Sequence, residues 1–350
     1  MAEQIKLKDL ARLLGVSVST VARSLSDSPG ISAATKARVQ RLAREKGYVA
    51  HSAARAMRTG HSHLIGLIVP DVRNDFYGTA AMALARRCEG AGFQLLLAAT
   101  QDDPASELRQ VRGLVEARAA GMVTALSPEP RPETLALLGN VPTVELIREG
   151  AGGGRPWLGI DERAGLEDAT RHLLGLGHRR IAYVGGLESL STGRQRLSGY
   201  RDAFATAGQP LPADLVRTGP PDAEFGTAAM RDLLALDDRP TGVVTAGAEL
   251  TVGVLEAIGS AGLPVPAAIS VVGFGDAPWF RWWGPGLTTI ALPVYDMALG
   301  CGDLLMRLIA ERAEPRTEAP SAPLRVMHRP TLLVRASTAA PPRPRAVRHG

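Results

Sequence analysis

Two cysteines in 350 residues, Cys88 and Cys301, are too few for a disulfide framework and fit a reducing compartment. No apolar run is long enough to cross a bilayer and no signal-peptide pattern opens the chain, so a soluble cytoplasmic protein is expected. Gly-x-Ser-x-Gly, Gly-Lys-Ser/Thr and His-Glu-x-x-His are all missing, which removes the commonest signatures of hydrolases, phosphate-loop enzymes and zinc proteases. His61 and His63 have no cysteine or carboxylate cluster beside them, so neither a metal nor a cofactor is expected, and no residue is assigned a catalytic role. Lysine is scarce too. The chain has only Lys6, Lys8, Lys36 and Lys46, all near its start. Residues 1–60 hold 11 Lys+Arg against 4 Asp+Glu, whereas the rest holds 29 against 31. The basic balance therefore belongs to one small module, the electrostatic footprint of a phosphate-binding surface.

Within that module, Leu7, Leu10, Ala11 and Leu14 recur at helical spacing until Gly15 breaks the run. Ser17 is placed to cap a second helix, 18–25, with Val21 and Leu25 inward and Val18, Ser19 and Arg23 outward. Two short helices meeting at a glycine turn predict a helix-turn-helix, whose second helix offers short side chains to a major groove and an arginine able to fork onto a guanine edge. The turn-forming stretch 26–30 leads to a third helix, 32–46, with Ser32 as N-cap and Ala33, Ala37, Val39, Leu42 and Ala43 predicted inward. A segment of good helix formers, 49–60, follows and is too short to be a stable helix alone.

From residue 61 the pattern alternates strands and helices. Strands are predicted at 64–70, 93–100, 121–126, 143–146, 158–160, 181–185, 242–246, 269–274 and 288–292. Helices are predicted at 78–91, 104–119, 163–176, 194–207, 225–236, 250–261 and 294–312. Such alternation implies an α/β protein with parallel sheets covered on both faces, and the strand number favours two lobes with a ligand cleft at the strand carboxyl ends. Beyond 337 the chain is Pro- and Arg-rich and is expected to be a disordered basic tail, 338–350.

The run from Ile5 to Leu25, followed by Ile31-Ser and Gly47-Tyr48, resembles the headpiece of the lactose-repressor (LacI/GalR) family of bacterial transcription regulators. Leu64-Ile-Gly-Leu-Ile-Val-Pro, Leu173-Leu-Gly-Leu-Gly-His-Arg-Arg-Ile, Arg196-Leu-Ser-Gly-Tyr, Val272-Gly-Phe-Gly-Asp and Leu287-Thr-Thr-Ile resemble that family's periplasmic sugar-binding-protein-like effector domain. The resemblance implies a headpiece at 1–48, a hinge helix at 49–60 and a two-lobed effector and dimerisation domain at 61–337. It implies that Val18, Ser19 and Arg23 read bases, that Ser17 and Thr20 hold phosphates, and that Ala54 and Met57 face the minor groove. It further implies a homodimeric repressor of double-stranded operator DNA, controlled by a sugar, sugar acid or similar small molecule. Asn74, Phe76, Tyr77, Asp161, Arg196 and Asp276 are the candidate effector contacts, with Arg194 behind Arg196. Departures stand at Ala22, Ala50, His51, Ala248-Glu249 and Gly275, so a regulator with an unresponsive cleft stays open, as does a soluble sugar-binding protein. Trp279, Phe280, Trp282 and Trp283 are expected to line the cleft rim or hinge, and His172 and His178 to be structural.

Overall fold

The computed structural model describes residues 5–25, 30–48, 62–150, 154–313 and 323–342. The chain divides after Ser62 into two units. The first contains α1 (Leu7–Leu14), α2 (Val18–Leu25) and α3 (Ala33–Glu45) around a core of Leu10, Ala11, Leu14, Val21, Val39 and Ala43. Gly15 ends α1 at φ 65°, a conformation that costs glycine little, and its neighbour Val16 donates back to Ala11 O. The Arg38 guanidinium donates to Leu14 O at 2.6 Å and ties α3 to the end of α1. Ser32 caps α3 by accepting from Thr35 N, as its position predicts. Ala33 and Ala37, predicted inward, are exposed, because the buried stripe of α3 runs through Val39 and Ala43. Ala54, Met57 and the rest of the expected hinge segment lie outside the described residues.

The second unit holds two six-stranded sheets. In the first lobe the order is β11-β5-β4-β3-β1-β2, all parallel, with β1 (Leu64–Val69), β2 (Gln94–Ala99), β3 (Gly121–Thr124), β4 (Thr143–Leu146), β5 (Trp157–Ile160) and β11 (Arg325–His328). The second lobe has the order β12-β10-β9-β8-β6-β7, with β6 (Ile181–Gly185), β7 (Val216–Thr218), β8 (Gly242–Ala246), β9 (Ser270–Phe274), β10 (Thr288–Ala291) and β12 (Thr331–Leu333). Only β12 runs antiparallel to its neighbour. The central strands are mostly apolar and buried on both faces.

The covering helices are α4 (Asp75–Gly90), α5 (Pro104–Glu116), α6 (Pro132–Leu138), α7 (Glu162–Gly175), α8 (Ser191–Thr206), α9 (Ala223–Leu234), α10 (Ala248–Ser260) and α11 (Val294–Ala313). Helix α11 follows β6 to β10 of the second lobe yet buries Met297, Ala298, Cys301, Leu304 and Leu305 in the core of the first. No helix among the described residues is long and apolar enough to cross a membrane.

Residues 338 and 339, expected to open the tail, belong to the second lobe: Thr338 Oγ1 meets His172 Nε2 at 2.9 Å, and Ala339 O lies 2.8 Å from His178 Nε2. His178 is buried between Thr241, Ser270 and this strap, which is a structural role. Burial holds both imidazoles below their ordinary value. The unfolded chain then binds protons first, so these histidines stabilise the fold fully above about pH 6.5 and progressively less as pH falls through their lowered native values. Buried Glu107 and half-buried Glu249, both raised by desolvation, act with the opposite sign. The expected result is therefore a difference: between pH 7.5 and 5.5 the melting temperature of the native chain falls more steeply than that of His178→Gln. Parallel profiles in the two proteins would remove the assignment.

Candidate functional site

On the first unit, Val18, Ser19 and Arg23 lie on the exposed side of α2, while Val21 and Ser24 face the core. Ser17 accepts from Thr20 N at 3.1 Å, and its hydroxyl also lies 2.8 Å from those of Ser19 and Thr20. Three hydroxyls thus gather at the amino end of α2, where the helix dipole favours negative charge.

On the second unit, a cavity of about 960 Å³ opens between the two lobes at the carboxyl ends of their strands, a size suited to a small ligand. Asn74, Phe76, Tyr77, Arg196 and Asp276 all line it. Asn74 caps α4 by accepting from Phe76 N, and the rings of Phe76 and Tyr77 meet edge to face at 5.0 Å. Asp161 is not part of the wall; its carboxylate accepts from Ala164 N and caps α7. Arg194 is likewise outside this cavity and donates to the carbonyls of Glu188 and Ser189. In the aromatic cluster, Phe280 is buried and lines the cavity, whereas Trp282 is 73% exposed.

Arg196 sits in the second turn of α8, because that helix starts at Ser191, three residues before the predicted start. Its guanidinium forks onto Glu162, at 2.8 and 2.7 Å, donates to Ala246 O at 3.0 Å and stacks over Phe274 at 4.1 Å. Three of its five N–H groups are used and two remain. A second buried pair, absent from the sequence reading, faces the same cavity from the other lobe. Arg148 binds both carboxylate oxygens of Asp102 and donates to Leu126 O. The backbone around it is strained: Ile147 has φ 59° and closes a three-residue turn from Arg148 N to Leu146 O, and Gln101 and Asp102 both have φ 56°. Such conformations cost a non-glycine residue on the order of 1–3 kcal/mol and persist where surroundings impose them. Tyr77, 8% exposed, senses the charges of both pairs, and its hydroxyl has no protein partner among the described residues. Burial raises its phenol, so it is a neutral donor at neutral pH.

Gly275 takes φ 85°, and Asp276 beside it is held by Arg335 at 2.8 Å and faces Arg281 at 3.7 Å. At 248 the helix α10 begins, with Ala248 and Glu249 in the cavity wall. Among the described residues no cluster of three or more His, Cys, Asp or Glu is arranged to hold a metal ion.

A helix-turn-helix unit joined to a two-lobed α/β receptor with a cleft between its sheets is the architecture of a ligand-responsive regulator. The family model "Bacterial regulatory proteins, lacI family" matches residues 6–51, and "Periplasmic binding protein-like domain" matches residues 170–338. The HTH-type transcriptional regulator GalR of Escherichia coli (strain K12) is 32% identical over 336 residues, 96% of each chain. The solved complex of the transcriptional regulator CelR with cellobiose is 27% identical with a TM-score of 0.70, covering 95% of this chain and all of that one. The lac repressor dimer bound to operator and the anti-inducer ONPF reaches a TM-score of 0.83 at 24% identity, over 97% of this chain and all of that one, and shows the fold. The chain belongs to the LacI family of bacterial regulators, which are DNA-binding transcription regulators and not enzymes.

Proposed function

We propose that the protein is a homodimeric cytoplasmic repressor whose affinity for a near-palindromic operator is set by a sugar-class molecule bound between the lobes. The observation that carries this is the cleft itself, where an unpartnered buried phenol and two arginines with unused N–H groups surround an open cavity. Those are hydroxyl-binding groups, and they argue against the reading of an unresponsive cleft. CelR, with its bound cellobiose, supports the sugar class. In this reading Val18, Ser19 and Arg23 read base edges, Ser17 and Thr20 hold phosphates, and Ala54 and Met57 reach the minor groove. Asn74, Phe76, Tyr77 and Arg196 contact the effector, and Asp276 is held by Arg335 at its edge.

Ligand binding changes the angle between lobes, and linkage requires operator and effector to alter one another's affinity by the same factor, typically about 5–150-fold. A gel shift with DNA upstream of the protein's own gene tests the reading. A preference for one site over bulk DNA on the order of 10³-fold or more at moderate salt is expected, and no preference with any sugar present would overturn it. Arg23→Ala is expected to lower that preference by about 1–3 kcal/mol at a single base position, measured by competition with point-substituted sites. A uniform loss across all sequences would instead make Arg23 a phosphate contact.

A further inference from the structure

Seven carboxylates line the cleft against three arginines. Each arginine is already neutralised: Arg73 by Asp71 at 2.7 Å, Arg148 by Asp102, and Arg196 by Glu162, which is itself 2% exposed. Asp276 is satisfied by Arg335. That leaves Asp75, Asp222, Glu249 and Asp296 with no ion-pair partner among the described residues, all in the cavity wall. These four sit at the amino ends of α4, α9, α10 and α11. Helix amino ends converging on a cleft ordinarily attract anions; here each carries its own carboxylate, so that attraction is cancelled.

The charge is concentrated on one side. Glu249 of the second lobe is half-buried and lies within electrostatic reach of Asp71 and Asp75 of the first. Arg73, the cation acting on Glu249 among the described residues, is 84% exposed and held by Asp71. Closing the lobes brings like charges together unless something positive enters between them. Among the described residues these carboxylates are not grouped to chelate a metal ion, and an organic ammonium group is a cation of fitting size for the cavity. Elsewhere the cleft offers directed donors without net positive charge: two N–H groups of Arg196, two of Arg148 and the Tyr77 hydroxyl.

We propose, resting on the sugar-class reading above, that the cleft selects an amine-bearing polyhydroxyl ligand, with hydroxyls on Arg148, Arg196 and Tyr77 and the ammonium at Glu249, and that it rejects carboxylated sugars. Glu162 already occupies the Nε/Nη2 edge of Arg196, so a ligand carboxylate cannot fork there.

The test is calorimetric titration of the full chain with hexose, 2-amino-2-deoxyhexose and hexuronic acid in the gluco, galacto and manno series, at pH 7.5 and about 0.1 M salt, where the Debye length is about 10 Å. In the series that binds, the amine is expected about 10-fold tighter than the hexose, and the acid at least about 10-fold weaker, the size of one charge-assisted hydrogen bond. In Glu249→Gln the amine-to-hexose ratio is expected to fall towards one. Acid binding as tight as the hexose, an amine no tighter than the hexose, or a ratio unchanged in Glu249→Gln would each overturn the proposal while leaving the cleft a sugar site. Silence from all three series would remove the sugar-class reading and the proposal with it.

Discussion

Arg196→Met is expected to abolish effector binding and, at the same time, to destabilise the second unit by about 3–5 kcal/mol. The second effect follows from Glu162, which is almost fully buried and, among the described residues, makes its ion pair with Arg196 alone. Removing one member of a buried pair leaves an uncompensated charge, and this costs far more than the pair contributes when intact. Loss of response in the single variant therefore has two sources. Adding Glu162→Gln separates them, because the amide carries no charge and replacing both partners is often close to neutral. The double variant is expected to regain most of the lost stability by thermal melting and still to bind no sugar by calorimetry. Should it bind the native chain's ligand with undiminished affinity, Arg196 is an architectural residue and the donors of the cleft lie elsewhere.

Gly253→Ala and Gly259→Ala, six residues apart on α10, are expected to change stability in opposite directions. A Cβ at 253 would stand 2.1 Å from Ala223 O and 2.7 Å from Thr227 N, both backbone atoms of α9, which cannot rotate out of the way. On the other side of the contact, Gly226 of α9 meets Leu250 O at 2.7 Å, so both helices use a missing side chain to approach. Thr227 Oγ1 donates to Gly253 O at 3.2 Å, a bond that separation of the helices would break. Overfilling a contact of this kind costs on the order of 1–3 kcal/mol, with a backbone obstacle at the upper end. At 259 nothing lies within 4 Å. There alanine only restricts the unfolded chain and favours the helix, a gain of roughly 0.5–1 kcal/mol. Denaturant midpoints moving in the same direction for both variants would show that the α9–α10 approach is looser than described.

These contacts also mark what sequence makes legible. The three helices of the first unit follow from an apolar period, a glycine stop and two serine caps, all signals within a dozen residues. The two-lobed α/β architecture follows from apolar runs long enough to be buried strands. Asn74, Phe76 and Tyr77 are legible because they come directly after a strand, where ligands of such sheets sit. β7, β11 and β12 are not legible: each has three or four residues at a sheet edge, with exposed positions and no apolar run. Glu162 reads as an ordinary acid compensating a helix dipole, and nothing local shows that it is buried under Arg196. Arg148 and Asp102 are 46 residues apart, a pairing only the sheet order creates. The position of Arg148, two residues past the end of β4, is the one clue available, since the ends of β1, β2 and β5 supply cavity or cap residues.

Because α11 completes a core begun by β1 to β5, the first lobe cannot finish forming during synthesis until about 130 further residues have left the ribosome. At about 5–20 residues per second that interval is roughly 6–26 s. For that time Gly121, whose missing side chain admits Leu305 and Ile309, lies on an uncovered apolar face. The nascent chain is thus a client for holding chaperones until the last long helix arrives, and a ribosome stalled before residue 294 would carry an adhesive half-receptor.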